Sequence, residues 1–328
     1  MYEPTSKQLR CPQCGCQSEI PSSFEEIREI DLQTVLNAAL NQQEAIPEHT
    51  VLSCGSCGAQ IAYKGARATC DFCGSEAVRA AALQSLPVRP QAIVPFGITQ
   101  QAAWEIFQRW FRSLWFVPPD LSRRARVEEL RGVYLPIWTF DAQVWAHWRA
   151  EFIKGFFVIE KKGHHKDFFD DLPVVGFRSL PPHYVDEIGG FDLTTDLRPY
   201  DPAYFLGWDV ALPEKSLVEA WQEAYECIYK VTAQACQRSI SDSIEHFSME
   251  LQLSGLTTKL FYVPIYILAY RYKGKPYRVV IHGHSGAIIG DRPISIIKML
   301  WTSLLIGIVI ILAGLLLLPL IILFLYSL

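Results

Sequence analysis

The chain has 328 residues, is half hydrophobic, and carries 30 Lys and Arg against 34 Asp and Glu, a formal net charge of −4. That length accommodates two soluble domains or one large one. The acidic balance counts against a protein held on nucleic acid by phosphate contacts, which needs a basic face.

The start, MYEPTSKQLR, is polar and lacks the apolar core of a signal peptide. Without an export signal the compartment is reducing, and paired cysteines there are metal ligands before they are disulfides. Six of nine cysteines fall in C-x-x-C pairs: Cys11/Cys14, Cys54/Cys57 and Cys70/Cys73. The second and third pairs lie twelve residues apart, each trailed by a glycine (Gly58, Gly74). Two thiolates three positions apart in a tight turn reach one face of a metal, and a second such turn completes a tetrahedron. Cys54, Cys57, Cys70 and Cys73 therefore predict a closed, structural Zn2+ site in a zinc ribbon spanning 51–78. The metal supplies the folding energy that so small a unit lacks. Cys11 and Cys14 form a second knuckle without a mate, a half ribbon over 1–20, with Cys16 and His49 the nearby candidates to complete it.

Between these pairs, FEEIREIDLQTVLNAAL has helical apolar spacing and predicts a helical insert over 22–41. Residues 1–83 thus make a zinc-ribbon region. Residues 1–90 carry seven basic side chains against ten acidic ones, which again counts against nucleic acid. Three prolines in QSLPVRPQAIVP mark 84–95 as a linker.

Residues 96–293 alternate helical and strand patterns and predict an α+β domain. TQQAAWEIFQRWFRSLWF (99–116) reads as a helix, GVYLPIWTFDAQVWAHW (132–148) as a strand and EKSLVEAWQEAYECIYKVTAQACQRSI (214–240) as a long helix. Cys227 and Cys236 on that helix read as small apolar residues rather than ligands. A weak repeat runs through the domain: Tyr134-Leu135-Pro136-Ile137-Trp138 echoes Tyr262-Val263-Pro264-Ile265-Tyr266, and Ala103-Trp104 echoes Ala220-Trp221. This predicts a duplicated α+β body, with the prolines at equivalent edge or bulge positions.

No phosphate loop, dinucleotide fingerprint, H-E-x-x-H or G-x-S-x-G occurs. His282 and His284 read as solvent-side residues entering a turn. His164 and His165 with Asp167, Asp170 and Asp171 read as a charged hairpin tip. No catalytic constellation emerges, so the expectation is a protein that is not an enzyme.

From Met299 to Leu328 there is no charged residue. A helix needs about 20 apolar residues to cross a bilayer core, so 299–325 predicts a single C-terminal transmembrane helix. Arg292 and Lys298 before it place the N-terminal body in the cytoplasm by the positive-inside rule. The expected topology is tail-anchored in a bacterial inner (plasma) membrane.

The segments SCGSCGAQ…ATCDFCGS (53–75), VPFGIT (94–99), LRGVYLPIWTFDA (130–142), LRPYDPAYFLGW (197–208) and VPIYILAYRYKGKPYRVVIHGHSGAIIGDRP (263–293), in that order, resemble a family of bacterial membrane proteins with TFIIB-type zinc ribbons. Its members are often labelled by transfer as primosomal protein N′ (replication factor Y), a superfamily II helicase. The helicase label lacks support here, because the phosphate loop is missing. The resemblance implies a cytoplasmic zinc-ribbon head, an α+β body and an anchor. It also implies partners among phage-shock-protein-A-like and flotillin-like (SPFH) proteins of membrane stress. Relatives carry another C-x-x-C before the segment matching Cys11 and Cys14, so Met1 is expected to be an internal start or a truncation. The resulting expectation is a scaffold or adaptor that recruits protein partners to the membrane; the alternative is a membrane-tethered, nucleic-acid-binding zinc-ribbon protein.

Overall fold

The computed structural model describes residues 1–11, 13–20, 27–40, 51–54, 60–62, 78–81, 89–127, 130–154, 157–178, 180, 184, 197–240 and 244–326. Side chains are described for these except 39–40, 51–54, 60–62, 78–81, 154, 312 and 315–326. The fold is mixed α and β. β1 (Tyr2–Glu3), β2 (Gln8–Arg10) and β3 (Gln17–Ser18) form a small antiparallel sheet. β4 (Ile30–Asp31) runs into α1 (Leu32–Leu40). β5 (Val51–Cys54), β6 (Gln60–Ala62) and β7 (Val78–Ala81) form a second small antiparallel sheet, in the order β6-β5-β7.

The body follows: β8 (Ala92–Ile93), α2 (Gln100–Ser113), α3 (Leu121–Arg124), β9 (Arg126–Val127), β10 (Arg131–Lys154), β11 (Phe157–Val175), β12 (Arg198–Pro199), β13 (Asp209–Val210), α4 (Leu217–Arg238), β14 (His246–Tyr272), β15 (Lys275–His282) and β16 (Ile288–Gly290). The chain ends in α5 (Ile296–Tyr326). The main path of the large sheet runs β11-β10-β14-β15-β16. β4 and β8 also join it, so residues from the expected helical insert and linker pair directly with the body.

The sequence echo is a local two-fold in the sheet. The two Tyr-x-Pro-Ile motifs are neighbours on β10 and β14, paired antiparallel with Tyr134 opposite Pro264, Leu135 opposite Val263 and Pro136 opposite Tyr262. The pairing extends outward in matching steps. β8 runs parallel to β14 with Ala92 opposite Phe261, and β13 runs parallel to β10 with Asp209 opposite Val133. The Val94 N–H donates to Tyr262 O as the Ala211 N–H donates to Tyr134 O.

The prolines are therefore in central strands, not at an edge, and the hydrogen bonds show why they fit. Gly176 N–H donates to Pro136 O at 3.0 Å, and Gly283 N–H donates to Pro264 O at 2.8 Å. An antiparallel pair of this kind normally exchanges a second bond in the other direction. Proline has no N–H to give, so the carbonyls of Gly176 and Gly283 are left for other donors. The N–H groups of Glu214 and Lys215 take Gly176 O, and those of Gly97 and Ile98 take Gly283 O. Each donor pair immediately precedes a helix. The missing donor of each proline thus seats the start of α4 and of α2 on the sheet.

Each helix begins with the cap such a turn favours. Thr99 Oγ1 accepts from Ala102 N–H at the start of α2, and Ser216 with Glu219 forms a reciprocal capping box on α4. α4 buries Leu217, Ala220, Ala224, Ile228, Thr232 and Cys236, a three-to-four-residue spacing that turns one stripe to the sheet. Cys227, off that stripe, is exposed. α2 and α4 both cover the face bearing Tyr134, Trp138, Tyr262 and Tyr266. The opposite face buries Val133, Leu135, Ile137, Phe261, Val263 and Ile265 with Phe177, Leu180 and Tyr184. Fully burying an apolar side chain of this size contributes about 1.5–3 kcal/mol, so this doubly covered region holds the fold together.

Two expectations are corrected. Among the described residues no helix is long and apolar enough to cross a membrane, so the fold class is mixed α and β without the transmembrane element, and the tail anchor is set aside. The tail is helical as α5, but its side chains are described only through Ile311 and at Ala313 and Gly314. Nor do the described cysteines make a clear zinc-ribbon arrangement. Cys11, Cys14 and Cys16 share one turn, but among the described residues no group of three cysteines converges on a point that could hold a metal.

Candidate functional site

β10, β11 and β14 are far longer than the rest of the sheet requires. Beyond Asp141 they run on as a three-stranded arm made of residues 142–154, 157–170 and 246–256. Alternate residues of a strand face opposite sides. On β10 the even-numbered Ala142, Val144, Ala146 and Ala150 are buried, and Ala142 and Val144 pack with Ile228 of α4. The odd-numbered Gln143, Trp145, His147, Arg149 and Ile153 are exposed. The same sheet face that is core at Val133–Ile137 is thus open along the arm.

The transition is marked by a charged cluster. Pairing shifts register on both sides of β10 at this level, between Phe140 and Ala142 against β11 and between Asp141 and Gln143 against β14. The extra residues fall on the flanking strands, at Asp171 (φ 52°) and Gly255 (φ 60°). The bulge brings the Asp171 N–H to Asp141 Oδ1 at 2.7 Å. Thr257 Oγ1 contacts Asp141 Oδ2 and lies 3.0 Å from Glu29 Oε2. Lys259, 6 % exposed, places Nζ 2.5 Å from Asp171 Oδ1 and 3.2 Å from Glu29 Oε1. Glu29 arrives from the segment before β4, whose Ile30 and Asp31 pair with Thr258 and Thr257.

The protonation pattern follows from this geometry. A hydrogen bond shared with Asp141, and then burial, push Glu29 up. Burial also pushes Asp141 up, but hydrogen bonds from Glu29, Thr257 and the Asp171 N–H outweigh it and hold Asp141 below the usual carboxylate range. Lys259 is pushed down by burial and further up by Asp171 and Glu29, so it stays charged. Among the described residues Glu29, Asp141 and Asp171 are the group whose ligand atoms lie close enough to hold a metal. Lys259 already supplies the cation there. Chemically the cluster is a clasp between the N-terminal segment and the sheet, with no nucleophile and base in register.

The open face beyond the clasp carries Trp145 (43 % exposed), Ile153 (60 %), Val158 (67 %) and Phe168 (56 %). Lys166 Nζ sits over the Trp145 ring at 3.6 Å. Arg149 pairs with Glu160 at 2.7 Å, and Lys162 reaches the same carboxylate at 3.4 Å. His147 lies between His164 and Glu250.

The residues singled out from sequence are placed as follows. Cys54 ends β5, but its side chain and the whole of Cys57, Cys70 and Cys73 lie outside the described residues. Cys11 and Cys14 occupy the β2–β3 turn, where Cys11 N–H donates to Cys16 O and Gly15 N–H to Cys11 O. The Cys14 and Gln13 N–H groups aim at the Cys11 sulfur and hold its thiol below its ordinary range. His164 and His165 are mid-strand on β11, not at a hairpin tip. His282 is buried rather than solvent-facing: its Nδ1 accepts from the His284 and Ser285 N–H groups and caps the turn, while His284 Nδ1 contacts Pro95 O. These two histidines are structural. The clasp was missed in the sequence, although a lone lysine inside the apolar run Leu256–Tyr266 and an aspartate closing Val133–Phe140 are its traces.

No family model matches the chain, and no solved structure matches it. It is similar to the uncharacterized protein YdjG of Bacillus subtilis (strain 168), with 21 % identity over 220 residues. That match covers 63 % of this chain and spans 64 % of the length of the relative.

Proposed function

We propose that the protein is a non-enzymatic adaptor that binds a protein partner on the open face of its β arm. The observation that carries this reading is the asymmetry of the arm. One face packs on α4 through Ala142 and Val144 and, of its described large apolar side chains, leaves only Phe157 and Ile159 exposed towards the tip, while the other presents exposed Trp145, Phe168, Val158 and Ile153 among charged side chains along its whole length. Large aromatic and aliphatic groups left exposed on one face, here a pair at each end of a charged stretch, mark interaction surfaces.

The charge of that face selects the partner class. Arg149, Lys162 and Lys166 are balanced by Glu151, Glu160 and Glu250, with Arg149 and Lys162 already engaged by Glu160. A polyanion needs uncompensated cations along its backbone. An alternating pattern fits a protein surface of mixed charge. Phage-shock-protein-A-like and SPFH proteins are the partners to test first, on the family resemblance. A four-thiolate Zn2+ site at Cys54, Cys57, Cys70 and Cys73 belongs to the same reading on spacing alone; it would be structural, because four thiolates leave no open position for catalysis.

The test is affinity purification of the tagged chain, its Trp145→Ala/Phe168→Ala variant, and a control altered at exposed Lys275, far from the arm. A partner that co-purifies with wild type and control but not with the double variant supports the reading. Equal recovery by all three sinks it. Tight, salt-sensitive binding in an electrophoretic shift would replace it with nucleic-acid binding.

A further inference from the structure

The open face holds a row of side chains that partner docking does not require. His147 of β10 is directly opposite His164 of β11 on one side and Glu250 of β14 on the other. All three are exposed. Residues directly opposite in an antiparallel sheet project from the same face with Cβ atoms about 4.5–5.5 Å apart. The row therefore sets two imidazoles and a carboxylate side by side across three strands.

The register shifts at Asp141 create this row. Extended beyond Asp141, the pairing seen at Phe140–Leu172 and Asp141–Thr257 would set His147 opposite His165 and Leu251. The extra residues at Asp171 and Gly255 move the register by one on each side, to His164 and Glu250. A one-residue shift decides which side chains share a face. The cations flanking the row are drawn elsewhere: Lys166 lies on the Trp145 ring, and Arg149 and Lys162 lie on Glu160.

We propose that His147, His164 and Glu250 form a surface site for a divalent transition-metal ion of the zinc, nickel or copper class. Imidazole nitrogens suit those ions, and a His-His-carboxylate set holds one metal while leaving a coordination position open. The three ligand groups do not yet converge, since the acidic clasp is the group that meets that condition among the described residues. Closure requires only rotation of exposed side chains, a picosecond-to-nanosecond motion. The open position faces outward, where a donor from outside the chain can fill it. The site goes beyond the adaptor reading and does not depend on it.

The experiment is calorimetric titration of Ni2+ into the full-length chain preloaded with one equivalent of Zn2+, which soft cysteine thiolates take ahead of a surface His-His-carboxylate set. One Ni2+ per chain is expected. His147→Ala and His164→Ala should each weaken it at least tenfold, Glu250→Gln should weaken it less, and His246→Ala should leave it unchanged. These side chains are exposed, so unchanged circular dichroism is expected to show that the variants fold. Absence of the Ni2+ event, or an affinity indifferent to both histidine substitutions, overturns the proposal. Partner capture by His147→Ala reports separately on the adaptor reading.

Discussion

The two ends of the sheet share three strands but not their surroundings. At the wide end β10 and β14 are packed on both faces, with aromatics under α2 and α4 and aliphatics under Phe177, Leu180 and Tyr184. Along the arm the same strands are packed on one face, and the other carries polar, charged and exposed aromatic side chains. The difference teaches that strand length and strand burial are set separately. Hydrogen bonding to both neighbours carries β10 out to Glu151, and to β11 on to Lys154, whereas its covering on one face stops at the clasp. Stability is therefore expected to concentrate at the wide end and recognition on the arm.

The sharpest test of that division lies at its boundary. Lys259→Ala leaves Asp171 and Glu29 without their buried cation and should cost about 3–5 kcal/mol, measured by urea unfolding. Phe261→Ala, two residues further into the wide end, should cost about 3–5 kcal/mol through the cavity it leaves. A loss below about 1 kcal/mol at both positions would break the comparison.

Alkali should separate the two ends next. Burial pushes Tyr134, Tyr262, Tyr266 and Tyr270 at the wide end above the ordinary phenol value of 10.0, and pushes Tyr2 up to about 12. The arm segments contain no tyrosine. A phenol raised in the folded state contributes stability that is full below its unfolded pKa and lost as the pH rises through the folded value. Tyrosinate absorbance from these five should appear late and in step with loss of circular dichroism; early, reversible ionisation would contradict their burial.

The two halves of the wide end can be compared through their caps. Ser216→Ala removes the hydroxyl of a reciprocal capping box and Thr99→Ala a single cap bond. Each should cost about 1 kcal/mol, with Ser216 the larger. The reverse order would mean that α2 depends more on its cap than α4 does.

Trp145→Ala on the open face should change stability by no more than about 0.5 kcal/mol while abolishing partner capture. A large destabilisation instead would show that the arm is held by this face as well as by α4.

The amino-acid sequence by itself determined the local elements and the internal repeat. Apolar spacing of three and four marks α2 and α4, and Ala103-Trp104 and Ala220-Trp221 lie on matching helices of the two halves. Such signals are readable because they depend on neighbours within a few residues. The same locality made the prolines misleading. Pro136 and Pro264 suggested an edge, and only the paired sheet shows them in central strands, where Gly176 and Gly283 turn their carbonyls to the helix starts.

The membrane span read from the apolar tail was not borne out among the described residues. Composition reports the apolar character of a segment, not the helix it forms in the folded chain. The clasp and the His147 row were illegible for a third reason. Glu29, Asp141, Asp171 and Lys259 come from four separate segments, and His147, His164 and Glu250 from three strands. Their meeting depends on register, and two bulges of one residue each set that register. Whether a strand has an extra residue is decided by its pairing partners and not by its own side chains, so only the tertiary structure could place them.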